Sequence, residues 1–453
     1  MFDCKLIKKY LLLISGLVLM SCQSHVITVD GGQIKGVSSQ KPGVTVFKGI
    51  PYAAAPVGDL RWKAPQPVQP WDGVKVCDTF GPIELQPGSA PGTFYGDEFY
   101  WEGTPDQSED CLFLNVWAPS KTIGAPNAKL PVAMWIHGGA FINGYGYEVT
   151  MDGDEWASRG VILVTINYRM GTLGYLSHPE LTAEQGQSGN YGLMDQIAAI
   201  QWIKDNIAAF GGDPSNITIF GQSAGAMSVK YLMISPMSRD LIAKAVIQSG
   251  GGMSTGLLPG RYLSQSTFDE QGREIMACAD LSTIEQMRAA PASEVSGALQ
   301  KYSSAKGWVM LTPHIDNQVL TTTFDDALFS GEMAEVPVMI GYNKDDMGGL
   351  GGESVDRFCA LRDSLGFPVY EYEFMRELPT DEEHPASAAG AFHSAELWYM
   401  FGTLSRSWRP FVDADYALSG RMLDAWTAFC RTGNPGWQAY KHDAPFKQLF
   451  DID

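Results

Sequence analysis

Uninterrupted apolar runs recur along this chain and alternate with segments that carry apolar residues at helical spacing. Such runs are typical of strands covered on both faces, because a strand exposed on one face alternates polar and apolar residues. Helical spacing is clearest over residues 194–210, where isoleucines lie three or four positions apart before the Gly211-Gly212 pair. The pattern predicts strands at residues 131–136, 161–166, 217–220, 245–248, 336–340 and 369–374, further helices at 224–234 and 417–431, and a hairpin at 26–31.

Strands that alternate with helices predict an α/β protein, with a central and mostly parallel sheet flanked by helices. Two segments, residues 251–307 and 348–366, fit sheet strands less well than the rest of the chain. We therefore expect one domain over residues 23–453, with these two segments as insertions that form a reduced cap.

The first 22 residues have the pattern of an export signal. Three lysines among the first nine residues precede an apolar run over residues 10–20, and small residues follow. This run is too short for a permanent membrane span. Residues 19–22 (Leu-Met-Ser-Cys) resemble a bacterial lipobox, in which the cysteine receives lipid. We expect lipidation of Cys22 and an exported protein tethered in the bacterial cell envelope, periplasmic or at the surface, with a plain secretory signal as the alternative.

Composition narrows the range of partners. The 453 residues include 32 Lys and Arg against 51 Asp and Glu, a net charge of −19. An acidic surface repels polyanions, so we expect no nucleic-acid partner, and membrane contact only through the lipid anchor. The net negative charge suits neutral or cationic substrates. A role in keeping the protein soluble explains the same charge equally well. The cysteines form no CxxC pair and predict neither a disulfide framework nor a metal site.

Chemistry is indicated first by Gly-Gln-Ser-Ala-Gly at residues 221–225, between a predicted strand and a predicted helix. This context is that of a nucleophile elbow, which exposes the serine hydroxyl at a helix N-terminus. Upstream, a strand end runs into the glycine-rich loop His-Gly-Gly-Ala at residues 137–140. We expect Ser223 to be a nucleophile, with backbone N–H groups of Gly139, Ala140 and Ala224 as an oxyanion hole. A simple tight turn is the alternative for the loop.

Several long motifs lie along the chain, at residues 47–53, 109–116, 167–169, 189–193 and 210–225. In sequence and in order they resemble the motifs of the type-B carboxylesterases, which include cholinesterases and bacterial para-nitrobenzyl esterases. The resemblance covers nearly the whole mature chain and implies an α/β-hydrolase fold and a serine carboxylesterase without metal or cofactor.

The remaining catalytic residues should follow the nucleophile in the order acid, then histidine, each after a strand. The segment Lys-Asp-Asp-Met-Gly at residues 344–348 resembles the family's acid loop, which implies that Asp346 is the acid. Asp345 is the alternative. The family's usual Glu is replaced by an aspartate here, so the carboxyl group has a shorter reach.

The general base is expected to be His393, in a segment at residues 390–396 that resembles the family's histidine loop. His384 is the alternative base, and a structural role is favoured for His137 in the glycine-rich loop. The resemblance also implies bracing ion pairs and a secondary polar network, although each of these residues is equally consistent with an ordinary core contact. They are Arg61 with Glu109, Arg169 with Asp195, and Ser249 with Glu396.

Three departures from the family bear on specificity and stability. Gln222 replaces a glutamate that many members carry before the nucleophile, which argues against choline-type specificity. Cys111 matches a family disulfide cysteine, but its usual partner segment has no cysteine. Cys77 is nearby, and free thiols are favoured.

Asp346 and His393 are only 47 residues apart, a short span for this family. We therefore expect an open site that admits bulky esters such as sugar-linked ones.

The sequence thus predicts a carboxylic ester hydrolase that works through a Ser-His-Asp triad and an acyl-enzyme on small-molecule or sugar-linked esters. A catalytically silent cholinesterase-like binding protein is the first alternative, and an amidase or acyltransferase on the same site is the second. Acyl and alcohol specificity and the oligomeric state are left open.

Overall fold

The computed structural model of the chain describes residues 26–88, 92–253, 264–347, 351–382, 384 and 390–452. The expected signal segment with Cys22 lies outside these residues, as do parts of both expected cap insertions. None of the described helices is long and apolar enough to cross a membrane.

A large mixed sheet forms the centre of the described structure, in the strand order β13-β12-β11-β10-β9-β7-β8-β6-β4-β3. In this order, neighbouring strands from β13 through β8 pair in parallel, which confirms the predicted, mostly parallel sheet. The remaining pairs are antiparallel. A small sheet, β1-β2-β5, begins with the expected hairpin. The strands are β1 (Val26–Val29), β2 (Gly32–Lys35), β3 (Val37–Ser38), β4 (Val44–Pro51), β5 (Val74–Val76), β6 (Phe113–Pro119), β7 (Leu130–Ile136), β8 (Ile162–Ile166), β9 (Gly212–Gln222), β10 (Lys244–Gln248), β11 (Val338–Asn343), β12 (Val369–Phe374) and β13 (Lys447–Phe450).

Helices cover both faces of this sheet. Neighbouring side chains of β7 point to two separate cores: Met134 packs with one cluster, and Trp135 packs with the other. Leu232 belongs to the first core and Trp426 to the second. The helices are α1 (Phe94–Phe99), α2 (Asp154–Ser158), α3 (Gly171–Tyr175), α4 (Pro179–Gln185), α5 (Tyr191–Asn206), α6 (Ala224–Ile234), α7 (Gln265–Ala277), α8 (Ile284–Ala289), α9 (Ala292–Lys306), α10 (Phe324–Ser330), α11 (Glu353–Ser364), α12 (Leu397–Phe401) and α13 (Asp413–Thr432).

The two segments expected to form a cap carry helices where they are described. Residues 264–307 contain α7, α8 and α9, and residues 351–366 contain α11. That these two segments form a cap on the main domain stays a prediction. The functional candidates instead follow the carboxyl ends of parallel strands, which is where open α/β sheets bind ligands.

Candidate active site

Ser223 lies in the sharp turn between β9 and α6. Its backbone is held at φ 57° and ψ −124°, a conformation that non-glycine residues seldom adopt. A Cβ atom at Gly225 would lie 2.0 Å from the carbonyl oxygen of Ile136, and one at Gly221 would lie 2.7 Å from the same oxygen. Both glycines are therefore required for the turn to pack against the end of β7.

Replacing Gly225 with alanine is expected to lower the free energy of unfolding by about 3 kcal/mol or more, because the new methyl group meets backbone atoms that cannot rotate away. The matched control is Gly297→Ala in α9, where no atom outside the helix backbone lies within 4 Å of the new Cβ. The control should be neutral or more stable by up to about 1 kcal/mol. Chemical denaturation measures both variants, and equal stabilities would contradict the steric account.

The glycine-rich loop after β7 lies against Ser223. A Cβ atom at Gly138 would lie 3.1 Å from the Ser223 Cβ. Gly139 and Ala140 follow with φ angles of 101° and 54°. Among the hydrogen bonds of the described residues, none uses the backbone N–H of Gly139, Ala140 or Ala224 as donor. These donors are therefore available to an oxygen bound beside Ser223.

Two side chains hold this loop in place. Gln86 accepts a hydrogen bond from the Gly144 N–H at 2.6 Å and donates to its carbonyl oxygen at 3.1 Å. His137 is fully buried and stacks on Tyr168, with 4.4 Å between ring centroids. Burial lowers the pKa of His137 to about 4, so the ring is neutral near pH 7. These contacts fit the structural role expected for His137.

His393 and Asp346 form a hydrogen-bonded pair. The distance from His393 Nδ1 to Asp346 Oδ1 is 2.5 Å, and the side chains are only 7% and 4% exposed. Asp346 also accepts the N–H groups of Asn343 at 3.2 Å and Met347 at 2.9 Å. Burial alone would raise the pKa of Asp346. The hydrogen bond and charge of His393, together with hydrogen bonds from Ser249 and the Asn343 N–H, instead lower that pKa below its ordinary value.

The alternative acid, Asp345, forms hydrogen bonds with Ala391, and none of the described hydrogen bonds joins it to the His393 ring. Its carboxylate accepts the Ala391 N–H at 2.8 Å, and its own N–H donates to the Ala391 carbonyl oxygen at 3.1 Å. Asp345 therefore braces the loop that carries His393.

The alternative base, His384, forms a contact elsewhere. Its Nδ1 atom is 2.8 Å from Asp381 Oδ1, and its ring stacks on Trp408 with 3.9 Å between centroids. Neither contact involves Ser223 or Asp346.

Gln222 links the sharp turn at Ser223 to His393. Its amide nitrogen lies 3.2 Å from His393 Nε2 and 3.4 Å from Nδ1. Within the described residues, Ser223 and the His393 ring form no direct hydrogen bond. Catalytic hydrogen bonds are often long in unliganded enzymes and tighten when substrate binds, so this geometry is compatible with proton transfer.

A buried polar network lies behind the histidine. Asn343 Nδ2 donates to Glu396 Oε2 and to the Phe392 carbonyl oxygen, each at 2.6 Å. Gln248 Nε2 lies 3.4 Å from Glu396 Oε1. Glu396 was expected from the family resemblance, whereas Asn343 and Gln248 were missed. Both are polar residues at the ends of buried strands, and this position in the sequence could have identified them as candidates.

Glu396 makes stability depend on pH. Burial raises its pKa from 4.5 to about 7, so the folded state binds the proton more tightly than the unfolded state. The stabilisation that this tighter binding gives to the folded state is fully present below about pH 4.5. It is lost as the pH rises to about 7, which lowers the free energy of unfolding by about 3 kcal/mol. From pH 5 to pH 8, the free energy of unfolding of the wild type should therefore fall relative to that of Glu396→Gln. A pH-independent difference would contradict this.

Both expected ion pairs are formed. Arg61 binds Glu109 through two hydrogen bonds of 2.7 Å. Arg169 binds Asp195 at 2.7 and 2.8 Å, with both side chains buried. A bidentate geometry fixes the orientation of both partners, so these pairs brace the segments on which they lie.

The described cysteines are free thiols. Cys111 and Cys77 are both buried, and burial raises the pKa of Cys77 to about 11. No group of His, Cys, Asp and Glu side chains in the described part of the chain could hold a metal ion.

Comparison with known proteins identifies the family. Residues 23–358 and 350–450 match the Carboxylesterase family. The chain is 32% identical over 483 residues to a para-nitrobenzyl esterase of Bacillus subtilis (strain 168), with 95% of each chain covered. It is 38% identical over 385 residues to a fumonisin B1 esterase of Sphingopyxis macrogoltabida, covering 81% of this chain and 66% of that protein.

Solved structures agree with this assignment. A PNB esterase structure aligns with a TM-score of 0.81 at 29% identity, and a carboxylesterase of Geobacillus stearothermophilus aligns with a TM-score of 0.77 at 32% identity. Each alignment covers 94% of this chain and 96% of the other. The chain therefore belongs to the carboxylesterase family, and it is a carboxylic ester hydrolase of the α/β-hydrolase fold.

Proposed function

We propose that the enzyme cleaves carboxylic esters through an acyl-enzyme on Ser223, with His393 as general base and Asp346 as the residue that orients the histidine. The observation that carries this proposal is the 2.5 Å contact between His393 and Asp346 beside the nucleophile turn. A carboxylate on Nδ1 fixes the imidazole tautomer in which Nε2 carries no proton and is able to accept one.

The reaction begins when the Ser223 hydroxyl oxygen attacks the ester carbonyl carbon and its proton passes to His393 Nε2. The carbonyl oxygen becomes negatively charged and accepts hydrogen bonds from the N–H groups of Gly139, Ala140 and Ala224. The bond to the alcohol breaks as His393 returns the proton to the leaving oxygen. Water then attacks the acyl group by the same route, releasing the acid and restoring Ser223.

The substrate class we propose is a neutral ester of a small molecule or a sugar, bound in an open site. The short span between Asp346 and His393 supports the open site. Gln222 supports the neutral substrate, because its amide carries no charge beside the His393 ring. The mechanism draws on the chain's own side chains and needs neither metal nor cofactor.

Pre-steady-state hydrolysis of para-nitrophenyl acetate tests the proposal. We expect a burst of nitrophenol equal to the enzyme concentration, followed by slower turnover as water cleaves the acyl-enzyme. Absence of any turnover would instead favour a silent binding protein. Faster cleavage of anilides, or faster transfer to alcohols than to water, would favour an amidase or an acyltransferase.

A panel of esters then defines specificity. The panel contains para-nitrophenyl esters of rising acyl length, feruloyl esters and acetylated sugars. We expect the enzyme to cleave the bulky esters of this panel as well as the small ones. Cleavage of only the smallest ester, para-nitrophenyl acetate, would contradict the open site.

The location of the enzyme is a separate proposal. We infer that the chain is exported and tethered in the bacterial envelope through lipid on Cys22, which the lipobox pattern at residues 19–22 supports. Metabolic labelling with an alkyne fatty acid should mark the wild type and leave Cys22→Ser unmarked. Equal labelling of the two would refute the anchor.

A further inference from the structure

Helix α1 contacts the histidine loop although nearly 300 residues separate the two in sequence. The Tyr95 hydroxyl donates to the main-chain carbonyl oxygen of His393 at 3.2 Å. The Phe94 ring meets Phe392 edge-on, with 4.8 Å between centroids. The helix therefore contacts both His393 itself and the residue before it.

A buried ion pair holds this helix in place. Three hydrogen bonds of 2.8–3.0 Å join Arg409 to the Glu98 carboxylate, and both side chains are at most 1% exposed. Trp398 donates a further hydrogen bond to Glu98 at 2.7 Å. Separating a buried ion pair leaves charges without compensation, so α1 cannot easily leave the histidine loop.

The Tyr95 hydroxyl is suited to act as a permanent donor. Burial raises the pKa of Tyr95 well above its ordinary value, and the charges of Asp346 and Glu396 raise it further. The phenol is therefore protonated throughout the pH range in which an esterase works.

Tyr95 and Asn343 hold neighbouring carbonyl groups of the histidine loop. Asn343 Nδ2 donates to the Phe392 carbonyl oxygen at 2.6 Å, and Tyr95 donates to the next carbonyl along the chain. The side chain of His393 meets Asp346 at 2.5 Å. A displaced backbone at His393 would move the imidazole relative to both Asp346 and Ser223.

We propose that Tyr95 is a positioning residue, which fixes the His393 backbone from a helix anchored by Glu98 and Arg409 and thereby keeps the imidazole in reach of Ser223. This inference rests on the proposed role of His393 as general base. Small displacements of a catalytic group cost large factors in rate, so loss of one hydroxyl should appear in kcat.

The test is Tyr95→Phe, which removes the hydroxyl alone, assayed with para-nitrophenyl acetate. We expect kcat to fall by about fivefold to tenfold, which lies within the range for one hydrogen bond, with KM within about twofold of wild type. Tyr147→Phe is the matched control, because Tyr147 also donates to a main-chain carbonyl oxygen, that of Gly81, at 2.8 Å. The control should retain wild-type kcat, and the two variants should have similar unfolding midpoints.

A second measurement separates positioning from general stability. In a His393→Ala background, Tyr95→Phe should cause no further loss of the residual rate, because its effect passes through His393. Wild-type kcat in Tyr95→Phe, or an undiminished effect in the His393→Ala background, would overturn the inference. Absence of turnover in the wild type would instead count against the proposed function itself.

Discussion

Replacing His393 with alanine is expected to lower kcat for para-nitrophenyl acetate by about 10³- to 10⁴-fold. Without the imidazole, no group accepts the proton of Ser223 as it attacks or protonates the leaving alcohol, and general base catalysis alone contributes about 10²- to 10⁴-fold. KM should change far less, because the ring is not required to hold the ground-state ester. Steady-state kinetics and a thermal unfolding curve together make the measurement.

His384→Ala is the matched control for this prediction. The His384 ring pairs with Asp381 and stacks on Trp408, so its loss should leave kcat within about twofold of wild type. If His384→Ala lost the activity and His393→Ala retained it, the base would be His384 and the proposed triad would be wrong.

Asp346→Asn is expected to reduce kcat by about 10³- to 10⁴-fold as well. The amide is nearly the same size, but it removes the negative charge that stabilises the imidazolium. Its nitrogen would also face His393 Nδ1 as a donor, which favours the tautomer with the proton on the wrong nitrogen. Comparison of kcat over a range of pH with wild type is the measurement.

Asp345→Asn tests the alternative acid with the same change at the next residue. Its oxygen is still able to accept the Ala391 N–H, so the loop should stay close to its position and the loss should be less than about tenfold. A loss at Asp345 larger than the loss at Asp346 would transfer the role of acid to Asp345.

Local sequence patterns were sufficient to predict the sharp turn at Ser223 and the helix that follows it. Helix α6 spans Ala224–Ile234, as predicted, because the serine turn fixes its first residue and apolar residues fill its buried face. The prediction for β9 was too short. The chain enters this strand directly after Gly211, which has a φ of 90°, and Gly212 already pairs with Leu130.

The prediction for β11 was displaced along the chain for a related reason. It was predicted at residues 336–340, where the apolar run lies, but it spans Val338–Asn343. Pairing with β12 continues as far as Asn343 opposite Phe374, so hydrogen bonding across the sheet extends the strand past the end of the apolar run.

Contacts between distant segments were not predictable from one sequence. Tyr95 and His393 are 298 residues apart, and Glu98 and Arg409 are 311 apart. A residue in such a pair has no periodic or motif signal near it. The contact between Asp346 and His393 was an exception, because strand order and resemblance to a known family restricted these two residues to two short loops.

Labelling with a serine-reactive fluorophosphonate, followed by mass spectrometry of the digested protein, tests directly whether Ser223 is the nucleophile. We expect one phosphonate per folded enzyme, attached to Ser223, and no labelling of folded Ser223→Ala. Loss of ester hydrolysis should parallel the extent of labelling. A folded, ester-cleaving enzyme that carries the label elsewhere, or that retains full activity in Ser223→Ala, would show that Ser223 is not the nucleophile.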